Sequence, residues 1–158
     1  MYSSQFYLFK DLRFLPIFLV QLFGCLNDSI IKNALIMLVM FKLSSNFPLP
    51  SYILVLLANI LLVLPFVIFA SIAGQVSDKY ERAIVTRIIK ISELVIVLFT
   101  MYGFYYEKIS LLFVCLTALG IHSAFFGPIK YSVLPDQLDK NELLEANGYA
   151  VAGTFLAI

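Results

Sequence analysis

The stretch Gly24-Cys25-Leu26-Asn27-Asp28-Ser29-Ile30-Ile31-Lys32-Asn33-Ala34 lies inside an otherwise apolar run from Leu12 to Phe41. As a helix, that run is long enough to cross about 30 Å of hydrocarbon with tilt or a bent end. A carboxylate and an ammonium at its centre are costly, from about 3 to over 10 kcal/mol for each charge. Charges survive at that depth where they face a partner, a polar cavity or a transport path. The rest of the chain is therefore expected to be a membrane scaffold that gives Asp28 and Lys32 somewhere to face.

Composition agrees. Of 158 residues, 61% are hydrophobic and 13% are charged, and the mean hydropathy is +0.95. A soluble domain carries about 25% charge. The surplus apolar area belongs against lipid, which predicts an integral, all-α membrane protein. The net charge of +1 implies no acidic partner, and no basic stripe suggests nucleic acid. Cys25 and Cys115 sit in apolar runs without CxxC spacing and read as small buried hydrophobes. The first apolar run is too long for the core of a cleavable signal peptide.

The periodic runs predict helices over 12–41, 52–76, 83–106 and 109–127, then part of a fifth over 143–158. Pro16 falls in a first helical turn, where proline is tolerated. Ser44-Ser45-Asn46 and two prolines make 42–50 a loop, and Pro65 should bend the second helix. Gly127-Pro128 is expected to end or distort the fourth. Asp139 followed by Glu142 resembles a capping box.

Lys10, Arg13, Lys79, Arg82, Arg87, Lys90, Lys130 and Lys140 fall on one side of this topology, and Lys42 and Lys108 on the other. The positive-inside rule then puts the N-terminus and the even-numbered loops in the cytoplasm.

The second loop reads Gly74-Gln75-Val76-Ser77-Asp78-Lys79-Tyr80-Glu81-Arg82. It resembles the G-x-hydrophobic-small-D-R-x-G-R loop between helices 2 and 3 of the major facilitator superfamily. Gly74, Asp78, Lys79 and Arg82 carry the match; Lys79 replaces an Arg and Glu81 a Gly. An ordinary basic inside loop is the alternative. Three further blocks narrow the resemblance: Phe14 to Gly24 leading into Asn27-Asp28, then Gly127-Pro128-Ile129-Lys130-Tyr131-Ser132-Val133-Leu134-Pro135, then Glu142 to Gly148. In this order and spacing they are similar to the bacterial lysophospholipid transporter family. That family includes the transporter domain fused ahead of 2-acylglycerophosphoethanolamine acyltransferase.

Gln21, Gly24, Cys25, Asp28 and Lys32 recur at three-, four- and seven-residue spacing and form one stripe of the first helix. Asp28 and Lys32 can neutralise each other at i,i+4, which would make them a packing feature. The resemblance implies instead that Asp28 and Lys130 are charges of the substrate path, with Gln21, Asn27 and Lys32 beside them. Lys130 would meet the phosphate of a lysophospholipid, and Asp28 an ethanolamine ammonium or a gate ion pair. The alternative for Lys130 is an anchor snorkelling to lipid headgroups. Lys90 and Glu93, three residues apart, read as a structural intramembrane pair, and His122 as a packing histidine. Asn59 and Asn147 read as helix–helix hydrogen-bonding residues.

No Ser-His-Asp set, P-loop, metal cluster or acyltransferase HxxxxD motif is found, so no enzyme activity, cofactor or metal is expected. The resemblance implies transport of lysophospholipid across the bacterial inner membrane by alternating access, with membrane lipid around the protein. Carriers of this superfamily have two six-helix halves with the site between them. Residues 1–158 would then be a truncated N-terminal domain of four to five transmembrane helices, lacking a C-terminal half and unable to transport alone. Two other readings are a degenerate, non-functional gene product and a small structural membrane protein acting by oligomerisation.

Overall fold

Inside hydrocarbon a peptide group must find its hydrogen-bond partner within the protein, which favours helices. The computed structural model describes residues 7–43 and 50–158, and every regular element among them is helical. A 3₁₀ turn, Tyr7–Lys10, precedes α1 (Leu15–Leu38), which ends in a π-helical turn, Val39–Leu43. Then come α2 (Ser51–Lys79), α3 (Arg82–Tyr105), α4 (Ile109–Gln137) and α5 (Leu143–Ala157). Three helical segments are long and apolar enough to cross a membrane: Leu15–Lys42, Ser51–Lys79 and Ile109–Gln137. The third expected span, α3, is not among them. It carries Arg82, Arg87, Lys90 and Glu93 in its first half, which lowers its hydropathy.

Two helices outrun their expected ends. α2 continues through Ser77, Asp78 and Lys79, because polarity marks where lipid stops, not where the helix stops. α4 continues through Gly127-Pro128 to Gln137. Pro128 removes one helical donor, whereas a break would orphan several backbone groups. The loop expected over 42–50 falls mostly outside the described residues.

The chain forms two compact units, one from Ile30 to Pro128 and one from the segments up to Ser29 and from Ile129 onward. The core of the larger unit is Ile31, Leu35 and Val39 of α1, Leu54 and Ala58 of α2, and Ile109, Leu112, Leu116 and Leu119 of α4. The three- and four-residue spacings put each set on one helical face. Lipid is as apolar as leucine, so close packing holds these helices together. The closest approach is at Gly120, where a Cβ would stand 2.4 Å from the Leu62 carbonyl oxygen and 3.2 Å from that of Leu61. Pro65 lies inside α2. It has no N–H for the Leu61 carbonyl four residues back, so α4 crosses where the α2 ladder is open.

α3 and α4 form a hairpin closed by a Schellman-type cap. The N–H of Glu107 donates to the Phe104 carbonyl at 3.3 Å, and that of Lys108 to the Gly103 carbonyl at 2.9 Å. Glu107 takes the left-handed conformation, φ 53°, and its carboxylate pairs with the Lys42 ammonium.

The smaller unit packs Leu8, Phe14, Leu134, Leu138 and Ala146 together. Phe9 stands edge-on to Phe18, with centroids 5.0 Å apart, and lies 4.8 Å from Tyr149. Arg13 ties this unit at its polar edge. It forks onto Asp11 at 2.6 and 2.9 Å and donates to the Gln137 carbonyl at the end of α4 at 3.2 Å. Glu142 lies 3.5 Å from the same guanidinium and accepts the Asp139 N–H at 3.1 Å, as in a capping box.

Two predictions follow from these contacts. Gly120→Ala should destabilise the chain by about 1–3 kcal/mol, read by chemical unfolding in detergent, because the obstruction is backbone. Hydrogen bonds from Arg13 hold the Asp11 carboxyl below its ordinary range. That stabilisation is present above the ordinary carboxylate pKa and is lost as pH falls through the depressed folded value. Asp11→Asn should therefore lose less of its melting temperature than the parent between pH 5 and pH 3, about the window of carboxylate titration. Parallel curves would exclude the linkage.

Candidate functional site

α3 turns Lys90 and Glu93 to one side, three residues apart. Lys90 Nζ lies 2.7 Å from Glu93 Oε2 and 4.2 Å from the centroid of the Phe126 ring. The cation is thus held by a carboxylate and an aromatic face together. From α4, His122 Nε2 comes within 3.5 Å of Glu93 Oε2. The imidazole lies nearly parallel to Phe126, with centroids 6.4 Å apart. Only 4% of the His122 side chain is exposed, and its polar neighbours are the Glu93 carboxylate and the Ile89 carbonyl, both from α3.

His122 also lines a groove of about 600 Å³ between the end of α2, α3 and α4. Tyr80 and Glu81 stand at one end. Ile84, Ile88 and Ile89 line its α3 side, and Ile121 and Phe125 its α4 side. This site offers one ion pair, one imidazole and a long apolar wall.

The residues singled out from the sequence fall elsewhere as well. Gln21 is buried, and its Nε2 donates to the Ala150 carbonyl at 2.6 Å and to Thr154 Oγ1 at 2.8 Å. It joins α1 to α5 within the smaller unit. Asn27 and Asp28 are half-buried on α1 in that unit, and Asn27 Nδ2 is buried without a hydrogen-bond partner. Lys32, one turn further along α1, is half-buried in the larger unit. Lys130 is half-buried on α4, 4.9 Å from the Tyr131 ring centroid. Gly74, Asp78 and Lys79 form the last turns of α2, and Arg82 begins α3. Asp78 is exposed, and Lys79 sits 5.7 Å from the Tyr80 ring centroid. Asn59 bonds back to the Val55 carbonyl of its own helix, not across helices, and Asn147 is exposed on α5. Both cysteines are free, Cys115 buried and Cys25 half-buried.

Residue spacing did not associate His122 with Glu93. The hairpin offered a signal: Glu93 and His122 each stand 14 residues from the Glu107-Lys108 turn. In an antiparallel helix pair, residues equidistant from the turn lie at the same level. Comparison of the chain with family models, curated proteins and solved structures gives no match.

The pair makes a further prediction. Glu93→Ala leaves Lys90 in an apolar setting and should destabilise the chain. The double change Lys90→Met with Glu93→Leu removes both charges and should restore most of that loss. Unfolding in detergent measures both, and equal stabilities would show that the pair has no structural role.

Proposed function

We propose that the chain forms part of a carrier of the major facilitator type, which moves a lysophospholipid across the bacterial inner membrane. The observation that carries this reading is the polar face of α1. Asn27 has a buried amide nitrogen without a partner, Asp28 is half-buried beside it, and both lie inside a helix long and apolar enough to span. Polar groups retained at such depth mark paths for polar cargo. Lys130 adds a cation on α4, in the block most similar to the lysophospholipid transporter family.

In this reading Lys130 attracts the phosphate of the lysophospholipid. Asp28 attracts its ammonium or closes a gate ion pair, and Lys32 balances Asp28 from the next turn. Gln21 positions α1 against α5 and does not touch cargo. The basic residues around the α2–α3 connection and the N-terminus face the cytoplasm. Alternating access needs an opposing bundle, so the five helices work with a C-terminal half.

Binding can be tested on the purified chain in detergent. Lysophosphatidylethanolamine should raise the melting temperature, and diacyl phosphatidylethanolamine at equal concentration should not. Asp28→Ala and Lys130→Ala should each weaken binding about tenfold or more, a loss of about 1.4 kcal/mol, with membrane insertion unchanged. Equal binding by both variants would reduce the residues to packing and anchoring.

A further inference from the structure

The outward face of α3 changes character near its end. Leu94, Leu98 and Met101 follow one another at one-turn spacing, and all three are exposed. The next residue on that stripe is Tyr105, 81% exposed, with Tyr102 and Tyr106 exposed beside it. The Tyr106 ring centroid lies 4.5 Å from that of Tyr102 and 4.9 Å from that of Tyr105. Glu107 and Lys108 come directly after. A tyrosine ring is apolar at its base and polar at its tip, so a stripe that passes from aliphatic to tyrosine to charge traces the edge of a bilayer.

Two of the apolar segments meet the same edge. Leu15–Lys42 ends at Lys42, and Ile109–Gln137 begins just after Lys108. Lys42 pairs with Glu107, which brings these two ends and the end of α3 to one level.

Charge then selects the lipid. Lys42 and Glu107 cancel, and among the described residues no carboxylate pairs with Lys108. Its ammonium lies 5.8 Å from the centroid of the Tyr102 ring. A ring face attracts a cation without neutralising it, so the turn keeps one positive charge. A phosphodiester brings one negative charge, and its oxygens can accept from the ammonium and from tyrosine hydroxyls. A zwitterionic headgroup would bring an ammonium as well, which Lys108 repels and which finds the Tyr102 face already approached by a cation. A headgroup made of a phosphodiester and neutral hydroxyls meets neither obstacle.

We propose that Tyr102, Tyr105, Tyr106 and Lys108 form a docking surface for an anionic glycerophospholipid of the phosphatidylglycerol type. Its phosphate lies at Lys108, its headgroup hydroxyls meet the tyrosine hydroxyls, and its acyl chains run along Met101, Leu98 and Leu94. The surface lies wholly in the larger unit and uses neither Asp28 nor Lys130, which belong to the smaller one.

The chain contains no tryptophan, so Tyr105→Trp makes a single fluorescent reporter at an exposed position of this surface. The purified full-length variant is placed in phosphatidylcholine vesicles in which part of the lipid is replaced by a brominated one. Brominated phosphatidylglycerol should quench with an association constant about fivefold above that of brominated phosphatidylcholine, the preference expected from one cation near the headgroups. Bromines close to the glycerol should quench more than bromines near the chain ends. Adding Lys108→Gln to the reporter should bring the two lipids to equal affinity, whereas Lys108→Arg should keep the preference. Inorganic phosphate should not relieve the quenching.

Equal quenching by the two lipids in the reporter, or a preference that survives Lys108→Gln, would overturn the proposal. So would stronger quenching from the chain ends, which would take the tyrosines away from the interface. Relief by inorganic phosphate would show a site for the free anion and not for the lipid. Lysophosphatidylethanolamine binding should be unchanged in Lys108→Gln, so failure here and failure of the α1 site are separately visible. Loss of that binding in Lys108→Gln would mean that one site serves both lipids, and would also overturn the proposal.

Discussion

A peptide group in hydrocarbon has no water to bond, and the long helices of this chain are shaped by that constraint. α4 passes through Gly127-Pro128 without a break. Breaking it there would leave several amides and carbonyls of two new helix ends bare, against one donor lost to proline. α2 accepts Pro65 on the same terms. The cost is placed where it can be used: beside the carbonyls of Leu61 and Leu62, Gly120 lets α4 approach to a distance that any Cβ would forbid.

The same constraint sorts the polar side chains. Thr86, Thr100 and Thr117 bond back to the carbonyl four residues earlier, as does Asn59, and Ser92 and Ser132 reach the carbonyl three residues earlier. Such residues are satisfied by their own helix and carry no message about ligands. Gln21 needs a second helix and has one in α5. Asn27 keeps a buried nitrogen atom that neither route has satisfied, and His122 turns its two to the Glu93 carboxylate and to the Ile89 carbonyl of another helix. They are therefore the informative polar residues of the fold, more so than the charges that first draw the eye.

All five helices were legible, because long apolar runs at this mean hydropathy admit no other regular structure. Their ends were less so. Ser77 to Lys79 read as loop, and Gly127-Pro128 as an end or a distortion of the fourth helix, because polar residues and Gly-Pro usually punctuate a soluble chain. In a membrane helix they mark the interface or a tolerated missing bond instead. The Lys90–Glu93 pair was legible from its three-residue spacing, since spacing within one helix fixes which side chains meet. His122 was not, because its partner comes from another helix, and the level of one helix against another depends on the turn between them. The cap at Glu107 sets that level. The role of Gln21 was hidden for the same reason: nothing local to α1 reveals Ala150 and Thr154.

α3 is the most highly charged of the long helices, and its chemistry explains how it can pack beside apolar neighbours. Lys90 is held by Glu93 and by the face of Phe126, so the cation meets negative charge and π-density together. Arg87, off that face, is exposed and has a stem long enough to carry its charge toward the interface. The Lys90–Glu93 pair is net neutral, which keeps the adjacent imidazole free of any fixed net charge. A histidine beside a lone Lys would be driven to stay neutral, and one beside a lone Glu to stay charged. The imidazole of His122 thus meets a closed ion pair at the level set by the hairpin turn, so the packing of α3 against α4 and the placement of these charges are one constraint.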